Sequence, residues 1–173
     1  LTPVVETERL QLREWRETDL DDATAMLTDP DVARYVETIA DREDCWRSVI
    51  ALQTGHWALR GYGWWVVTSR SDARFMGYCG LWKPEGWPAV ELAWCLAKDY
   101  WGKGFALEAG RAAVAWAWQA LDVPAIAGFI DPQNHQAKSA AAKLGFRSTG
   151  ASTVIHGTVA DVYRLERPGA RAT

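Results

Sequence analysis

Apolar residues along this chain change their spacing several times, and each change predicts an element. ERLQLREW (Glu8–Trp15) sets Leu10 and Leu12 against charged neighbours, the pattern of a strand with one wet face. Thr18 followed by Asp21 has the spacing of a capping box with Asp in place of Glu, so DLDDATAMLTD is expected to open as a short helix. Asp41 with Asp44 repeats that spacing ahead of DCWRSVIALQTG, where Trp46, Val49, Ile50 and Leu52 fall near helical period. Period two then takes over. YGWWVVTS (Tyr62–Ser69) and RFMGYCGLW (Arg74–Trp82) predict two strands joined as a hairpin by the polar link RSDA. KPEGWP (Lys83–Pro88) turns the chain into a third strand, AVELAWCLA, from Ala89 to Ala97.

From Phe105 to Leu121 no proline interrupts an alanine-rich run, which predicts the longest helix, with Leu107, Val114, Trp118 and Leu121 as its buried positions. AIAGFI (Ala125–Ile130) follows as a short apolar strand. DPQN (Asp131–Asn134) turns into a helix from His135 to about Leu144, which Gly145 ends. Two more strands are expected, in FRSTGASTVI and, after His156-Gly157, in TVADVYRLER; the stretch from Pro168 to Thr173 reads as a frayed tail. The succession predicts an α/β fold, with a mixed, mostly antiparallel sheet of roughly six to seven strands flanked by about four helices. Short turns before Asp99 imply antiparallel neighbours, and the long helix between Ala97 and Ala125 is what a parallel crossover requires. No linker or repeat divides the chain, so one domain over residues 1–173 is expected.

Composition narrows the classes. A chain of 173 residues with 49% hydrophobic and 24% charged residues can bury one sizeable core. Its formal net charge of -3 gives no general field for nucleic acid. Cys45, Cys79 and Cys95 have no metal-ligand spacing and lie in apolar surroundings, as buried thiols in a reducing compartment do. With His56, His135 and His156 widely scattered, no metal is expected. Absence of a long apolar run or a leader-like start predicts a cytoplasmic protein without membrane association. The eleven tryptophans are the unusual number, and they belong to the core or to groove walls.

One segment asks for chemistry. DYWGKGFALEAG (Asp99–Gly110) puts Gly102-Lys103-Gly104 where a helix must begin, directly after a strand. Glycine costs backbone entropy and is used where the chain turns sharply or approaches something closely. A loop at the carboxyl end of a strand in an open α/β sheet is a usual ligand position. Amides from Trp101 to Ala106, aided by the helix's positive end and by Lys103 as a point charge, suit a phosphate or diphosphate. Tight turning alone also explains the glycines. Neither the GxxxxGK[ST] nor the GxGxxG spacing is present, so neither standard nucleotide loop applies.

WGKGFALEAG, followed some thirty residues on by NHQAKSAAAKLGF, resembles the two signature segments of the GCN5-related N-acetyltransferase (GNAT) superfamily, and more closely its ribosomal-protein-alanine (RimJ/RimL-like) branch. The first segment, Q/R-x-x-G-x-G/A in that family, falls on Trp101, Gly104 and Ala106, with Trp101 in place of the usual Gln or Arg. The second falls on Asn134, Lys143, Gly145 and Phe146. The resemblance covers nearly the whole chain and implies splayed central strands and acetyl-CoA as cosubstrate. Its diphosphate would lie on the amides of Trp101, Gly102, Lys103, Gly104, Phe105 and Ala106, and its pantetheine arm against Leu92, Ala93 and Trp94. Asn134 would hold the arm from the far side, although a helix cap explains it too. An amide near Leu92 or Ala93 would meet the carbonyl oxygen.

The implied activity is direct acetyl transfer to a primary amine, either a protein N-terminus or a small molecule. Glu91, a carboxylate in an apolar strand, is the candidate base; anchoring an ammonium, a structural ion pair and an edge-exposed acid are its other readings. Many family members carry a Tyr seven positions after the Asn as acid, and here that position is Ala141. Ser139 is the nearest hydroxyl in sequence, with a surface serine as the alternative. Glu108 is left outside the site as a residue favourable to the helix dipole. Trp64, Trp65, Trp82, Trp87 and Trp94 divide between core and acceptor groove. Glu37, Asp41 and Asp44 would lie on the variable lid, attracting a cationic substrate or capping helices. An acetyl-CoA-binding sensor without turnover is the rival function, and a homodimer through the late strands is left open.

Overall fold

Period-two alternation between Trp64 and Trp82 generates the centre of the sheet, because successive side chains must enter opposite layers. The computed structural model describes residues 1–36, 38–155 and 157–169. Glu37 of the expected lid, His156 and tail residues 170–173 lie outside the described residues.

The chain starts with β1 (Val5–Glu6) paired antiparallel to β2 (Leu10–Arg13). Helices α1 (Leu20–Leu27), α2 (Pro30–Ala33) and α3 (Arg42–Cys45) follow, and α3 runs through a π-helical segment (Trp46–Ala51) into α4 (Leu52–Arg60). Strands β3 (Trp64–Ser69), β4 (Phe75–Trp82) and β5 (Glu91–Leu96) form an antiparallel meander. Helix α5 (Phe105–Ala120) crosses over to β6 (Ala125–Ile130), which is parallel to β5. After α6 (His135–Lys143), strands β7 (Arg147–Ile155) and β8 (Thr158–Glu166) close the sheet in the order β1-β2-β3-β4-β5-β6-β8-β7. The sheet thus has eight strands. The extra one is β1, whose two residues are too few to show a period.

Each sheet face has its own core. Trp65, Val67, Leu81 and Leu92 pack with α5 on one side, while Val66, Tyr78 and Cys95 meet Trp15, α1 and the α3–α4 helix on the other. The residues of α5 that touch the sheet differ from those expected. Ala109, Ala113 and Ala117 are completely buried, while Leu107, Val114, Trp118 and Leu121 are half-buried along the shoulders. A row of alanines at i, i+4 and i+8 lets the helix axis lie close to the strands. Gly110 permits the same closeness to α6, since a Cβ there would come within 2.9 Å of the Leu144 side chain.

Helix entries also depart from expectation once. Asp19, rather than the Thr18 and Asp21 pair, organises the first helix, because a 3-10 turn (Glu17–Asp19) precedes it. Its carboxylate accepts from the Arg16 amide at 2.8 Å and from the Arg13 guanidinium at 2.8 and 2.6 Å. Asp21 instead reaches the exposed Arg42. At the second site the acids do cap: Asp41 accepts from the Asp44 amide at 2.9 Å, and Asp44 from the Ala40 amide at 3.0 Å. Past this cap Val49 and Ile50 are buried, but Trp46 and Leu52 are more than 40% exposed. The wider π turn rotates Leu52 off the core face.

Ala113 has no room to grow. Ala113→Leu is expected to destabilise the fold by about 1–3 kcal/mol by overpacking, whereas Leu at the exposed Ala115 leaves it nearly unchanged; thermal unfolding of the two variants checks this.

Candidate functional site

Strands β5 and β6 share a single register pair, Glu91 with Ala127, fixed by an Ala127 amide donating to the Val90 carbonyl at 2.8 Å. Beyond it the parallel ladder stops, although β5 remains paired to β4 through Leu96 and β6 to β8 through Ile130. The two strands therefore splay, as the resemblance implies. The gap floors a cleft of about 1500 Å3, with Leu92, Ala93 and Trp94 on the β5 side and Phe129 and Ile130 on the β6 side.

At the carboxyl end of β5 the chain makes a 3-10 turn (Lys98–Tyr100) and enters the glycine step. Gly102 and Gly104 have φ of 71° and 81°, left-handed values that favour glycine, so the expected sharp turn is present. The Trp101 amide closes on the Lys98 carbonyl, and the first amide of α5 with a main-chain acceptor is that of Glu108, on Gly104. The six amides from Gly102 to Leu107 donate to no described protein group. They surround the helix entrance, and Gly102, Gly104, Phe105 and Ala106 line the cleft. Such a nest at the start of a 16-residue helix is electrostatically suited to an anion.

Two side chains of this loop are structural in part. The Trp101 indole donates to the Leu96 carbonyl at 2.7 Å, sealing the end of β5. Lys103 turns its ammonium back onto the Asp99 carbonyl at 2.7 Å, and its own carbonyl accepts from Arg9. A charge free to project from Lys103 is therefore not what the loop presents. Glu108 does more than favour the helix dipole. Its carboxylate takes the Thr7 hydroxyl at 2.6 Å, the Arg9 amide at 2.8 Å and Arg9 Nε at 2.7 Å, which clasps the first turn of α5 to the β1–β2 turn. The Arg9 guanidinium carbon also lies 4.3 Å from the centre of the Phe105 ring. Nothing in the local pattern could reveal this clasp across about a hundred residues.

Asn134 caps α6, accepting from the Ala137 amide at 3.0 Å through Oδ1, and it also lines the cleft. Ser139 is exposed along α6 at the same cleft, while Ala141, where a Tyr is frequent in the resembling family, is buried. His135 is exposed at the start of the helix. Of the acids proposed for the lid, Asp41 and Asp44 are spent as caps. The lid is strapped down elsewhere: Asp31 of α2 pairs with Lys98, and the Tyr35 hydroxyl reaches the Gln133 carbonyl.

Glu91 is the chemically distinctive group. It is 9% exposed, lines the cleft, and belongs to no ion pair among the described residues, which removes the structural ion-pair and edge-exposed readings. Its Oε2 accepts from the Trp87 indole at 2.9 Å. Burial pushes its carboxyl up to about 7; the Trp87 indole and the Phe129 amide pull it partway back. A carboxyl poised near neutrality in a cleft can exchange a proton with a ligand. Cys95 shares the cleft, but burial raises its thiol to about 12 and keeps it protonated.

Aromatic rings continue from Glu91 along the wall. Trp64 stacks on Tyr78 at 4.4 Å between ring centres, Trp82 follows at 5.0 Å, and Trp87 lies 6.4 Å beyond. Of the five tryptophans considered, Trp65 belongs to the core; the other four line the cleft.

Comparison with known proteins agrees with this geometry. The chain is 29% identical over 152 residues to the uncharacterized protein YkkB of Bacillus subtilis (strain 168), covering 80% of this chain and 82% of that one. Among solved structures it resembles the acetyltransferase from Agrobacterium tumefaciens str. C58, with TM-score 0.86, 25% identity and 95% of each chain covered. The fold also matches RimL, a ribosomal L7/L12 alpha-N-protein acetyltransferase in complex with coenzyme A, at TM-score 0.77 and 14% identity over 95% and 97% of the two chains. A family model for the acetyltransferase (GNAT) domain matches residues 9–147, from the clasping arginine to the first residue of β7, and the chain belongs to that family.

Proposed function

We propose that this protein transfers the acetyl group of acetyl-CoA directly to a primary amine. The observation that carries the reading is the presence of two features in one cleft: an amide nest without described partners and a buried carboxyl near neutrality, at the two ends of a parted strand pair. The residues fit the coenzyme. Amides of Gly102 to Leu107, together with that helix's dipole, would hold the diphosphate, and main-chain groups of Leu92, Ala93 and Trp94 on the edge that faces away from β4 would pair with the pantetheine amides. Asn134 would face the arm across the cleft through the side-chain amide nitrogen that its capping bond leaves over. RimL, similar in fold, binds coenzyme A in a structure of this kind.

When bound, acetyl-CoA supplies an activated thioester carbonyl. The protein's tasks are to position it against the amine, to make that amine neutral, and to offer a donor to the growing negative charge. Glu91 serves the second task as the base, directly or through a water, since its carboxylate is available at neutral pH. The amide of Leu92 or Ala93 would serve the third. The protein offers no tyrosine at Ala141, and Ser139 is the hydroxyl on that helix which borders the cleft. A thiolate is a good enough leaving group for a weak acid to suffice. The buried alanine favours one second reading, a sensor that binds acetyl-CoA without turnover.

Thiol release with an amine panel separates the two readings: turnover supports the enzyme, while calorimetric binding without turnover supports the sensor. Three outcomes are expected. Wild-type kcat/KM rises with pH through an apparent pKa near 7 as Glu91 loses its proton. Glu91→Gln abolishes that limb and lowers the rate about 100-fold; an unchanged profile removes Glu91 as base. Gly104→Ala, which forces a side chain into φ of 81°, weakens coenzyme A binding about tenfold and costs about 1 kcal/mol of stability.

Glu91 also makes stability depend on pH. Its folded pKa is above that of a free carboxyl, so the native state holds more protons between pH 4.5 and about 7, and stability falls as pH rises through that window. The gain in stability of Glu91→Gln over wild type is therefore expected to grow from pH 5 to pH 8, by on the order of 3 kcal/mol, as read by denaturant titration at each pH.

A further inference from the structure

The acceptor end of the cleft has a wall whose chemistry is unlike that of its rim. Trp64, Trp82 and Trp87 form a continuous aromatic surface that Tyr78 backs and Phe129 extends, the last 6.4 Å from Trp87. This surface ends at one carboxyl, Glu91, held by the Trp87 indole at 2.9 Å. Trp82 pairs with Glu91 across β4 and β5, so ring and acid are fixed by sheet register and not by loop geometry.

Charge along the cleft is balanced. Asp31, Glu91 and Asp131 are matched by Arg34, Arg47 and Lys143, and Asp31 is already neutralised by Lys98. Asp131 is occupied in part as well, accepting from the Gln133 amide at 2.7 Å. A polyamine or aminoglycoside carries several cations, each needing an acidic partner, and here one buried carboxyl is available to receive them. The π-helical segment and the residue after it bring Val49 and Leu52 to the lining of the same cleft, adding apolar surface to that of the indoles. A flat ring laid along the indoles buries a face against them, and its ammonium can use both the indole quadrupoles and the carboxylate before losing a proton.

We propose that the acceptor is a small amine with a single positive charge on a flat aromatic body, its ring lying along Trp64, Trp82 and Trp87 and its nitrogen at Glu91. This rests on the acetyl-transfer reading above and specifies the substrate class of that site. The atoms balance as follows: the ammonium gives one proton to Glu91, the neutral amine nitrogen bonds the acetyl carbon, the carbon–sulfur bond breaks, and the second proton shed by that nitrogen passes to the departing sulfur, which leaves as the thiol of coenzyme A.

The test is thiol release by the full chain at saturating acetyl-CoA, with benzylamine and 2-phenylethylamine against n-butylamine, spermidine, kanamycin and an alanine-starting peptide. The aryl amines are expected to exceed n-butylamine in kcat/KM by about 30-fold. Trp82→Leu should reduce that advantage to a few-fold while leaving calorimetric coenzyme A affinity unchanged. Because Trp82 is 7% exposed and its loss can unsettle the fold, Trp87→Phe provides the second variant. It keeps a ring in the wall but removes the donor to Glu91, so the aryl preference should persist while the apparent pKa of the rate rises. Faster turnover of spermidine, kanamycin or the peptide overturns the aromatic-amine assignment alone. Turnover of no amine in the panel overturns the acetyl-transfer reading and this assignment with it.

Discussion

Main-chain amides and carbonyls taken from water must find partners, and the parting of β5 from β6 denies them the most economical ones. One parallel pair at Glu91 and Ala127 is enough to join the two halves of the sheet. Past it, the main-chain groups on the facing edges of the two strands must stay accessible to solvent or to a ligand. Neighbouring strands hold the opening in shape: β4 keeps β5 in register as far as Leu96, and β8 does the same for β6 as far as Ile130. The gap is therefore held open by the register of the strands on its two sides.

The same constraint explains the chemistry at its narrow end. Where the strands are still joined, water is squeezed out, and a carboxyl projecting there is desolvated. Glu91 has two N–H donors and, among the described residues, no cation, a combination that stabilises the anion incompletely and leaves its pKa at about 7. A lysine or arginine beside it would have made a stable but chemically idle ion pair. The wide end is the reverse case, where six amides at the entrance of a helix have no acceptor among the described residues and positive potential accumulates. Narrow and wide ends thus differ in dielectric and in sign, within one cleft.

Much of this was legible in the sequence because it depends on local pattern. AIAGFI matches β6 residue for residue, the hairpin strands differ from expectation by at most two residues, and the glycine step needed the positive φ values it has. Glu91 stood out because a charge within an apolar strand requires a reason. What escaped depends on tertiary packing. An alanine-rich helix gives no periodic contrast, so the larger Leu107 and Trp118 were assigned inward when the sheet demanded the small Ala113 and Ala117. The π turn has no local signature, and it moved Leu52 from core to cleft. Asp19 displaced the expected cap because its buried partner Arg13 lies on β2, a contact that spacing within the helix cannot disclose.

Thr7 and Arg9 hold Glu108, so the first turn of the long helix is anchored by a segment that lies about a hundred residues before it. During synthesis that segment emerges ahead of its partner and must wait for about a hundred residues before Glu108 exists. The anion nest is consequently among the later features to be completed, and it draws on both sides of the meander. A fragment that began at β3 would keep the glycines, the aromatic wall and the buried acid, yet the ring of Phe105 would lose its guanidinium cover and the helix entrance its brace.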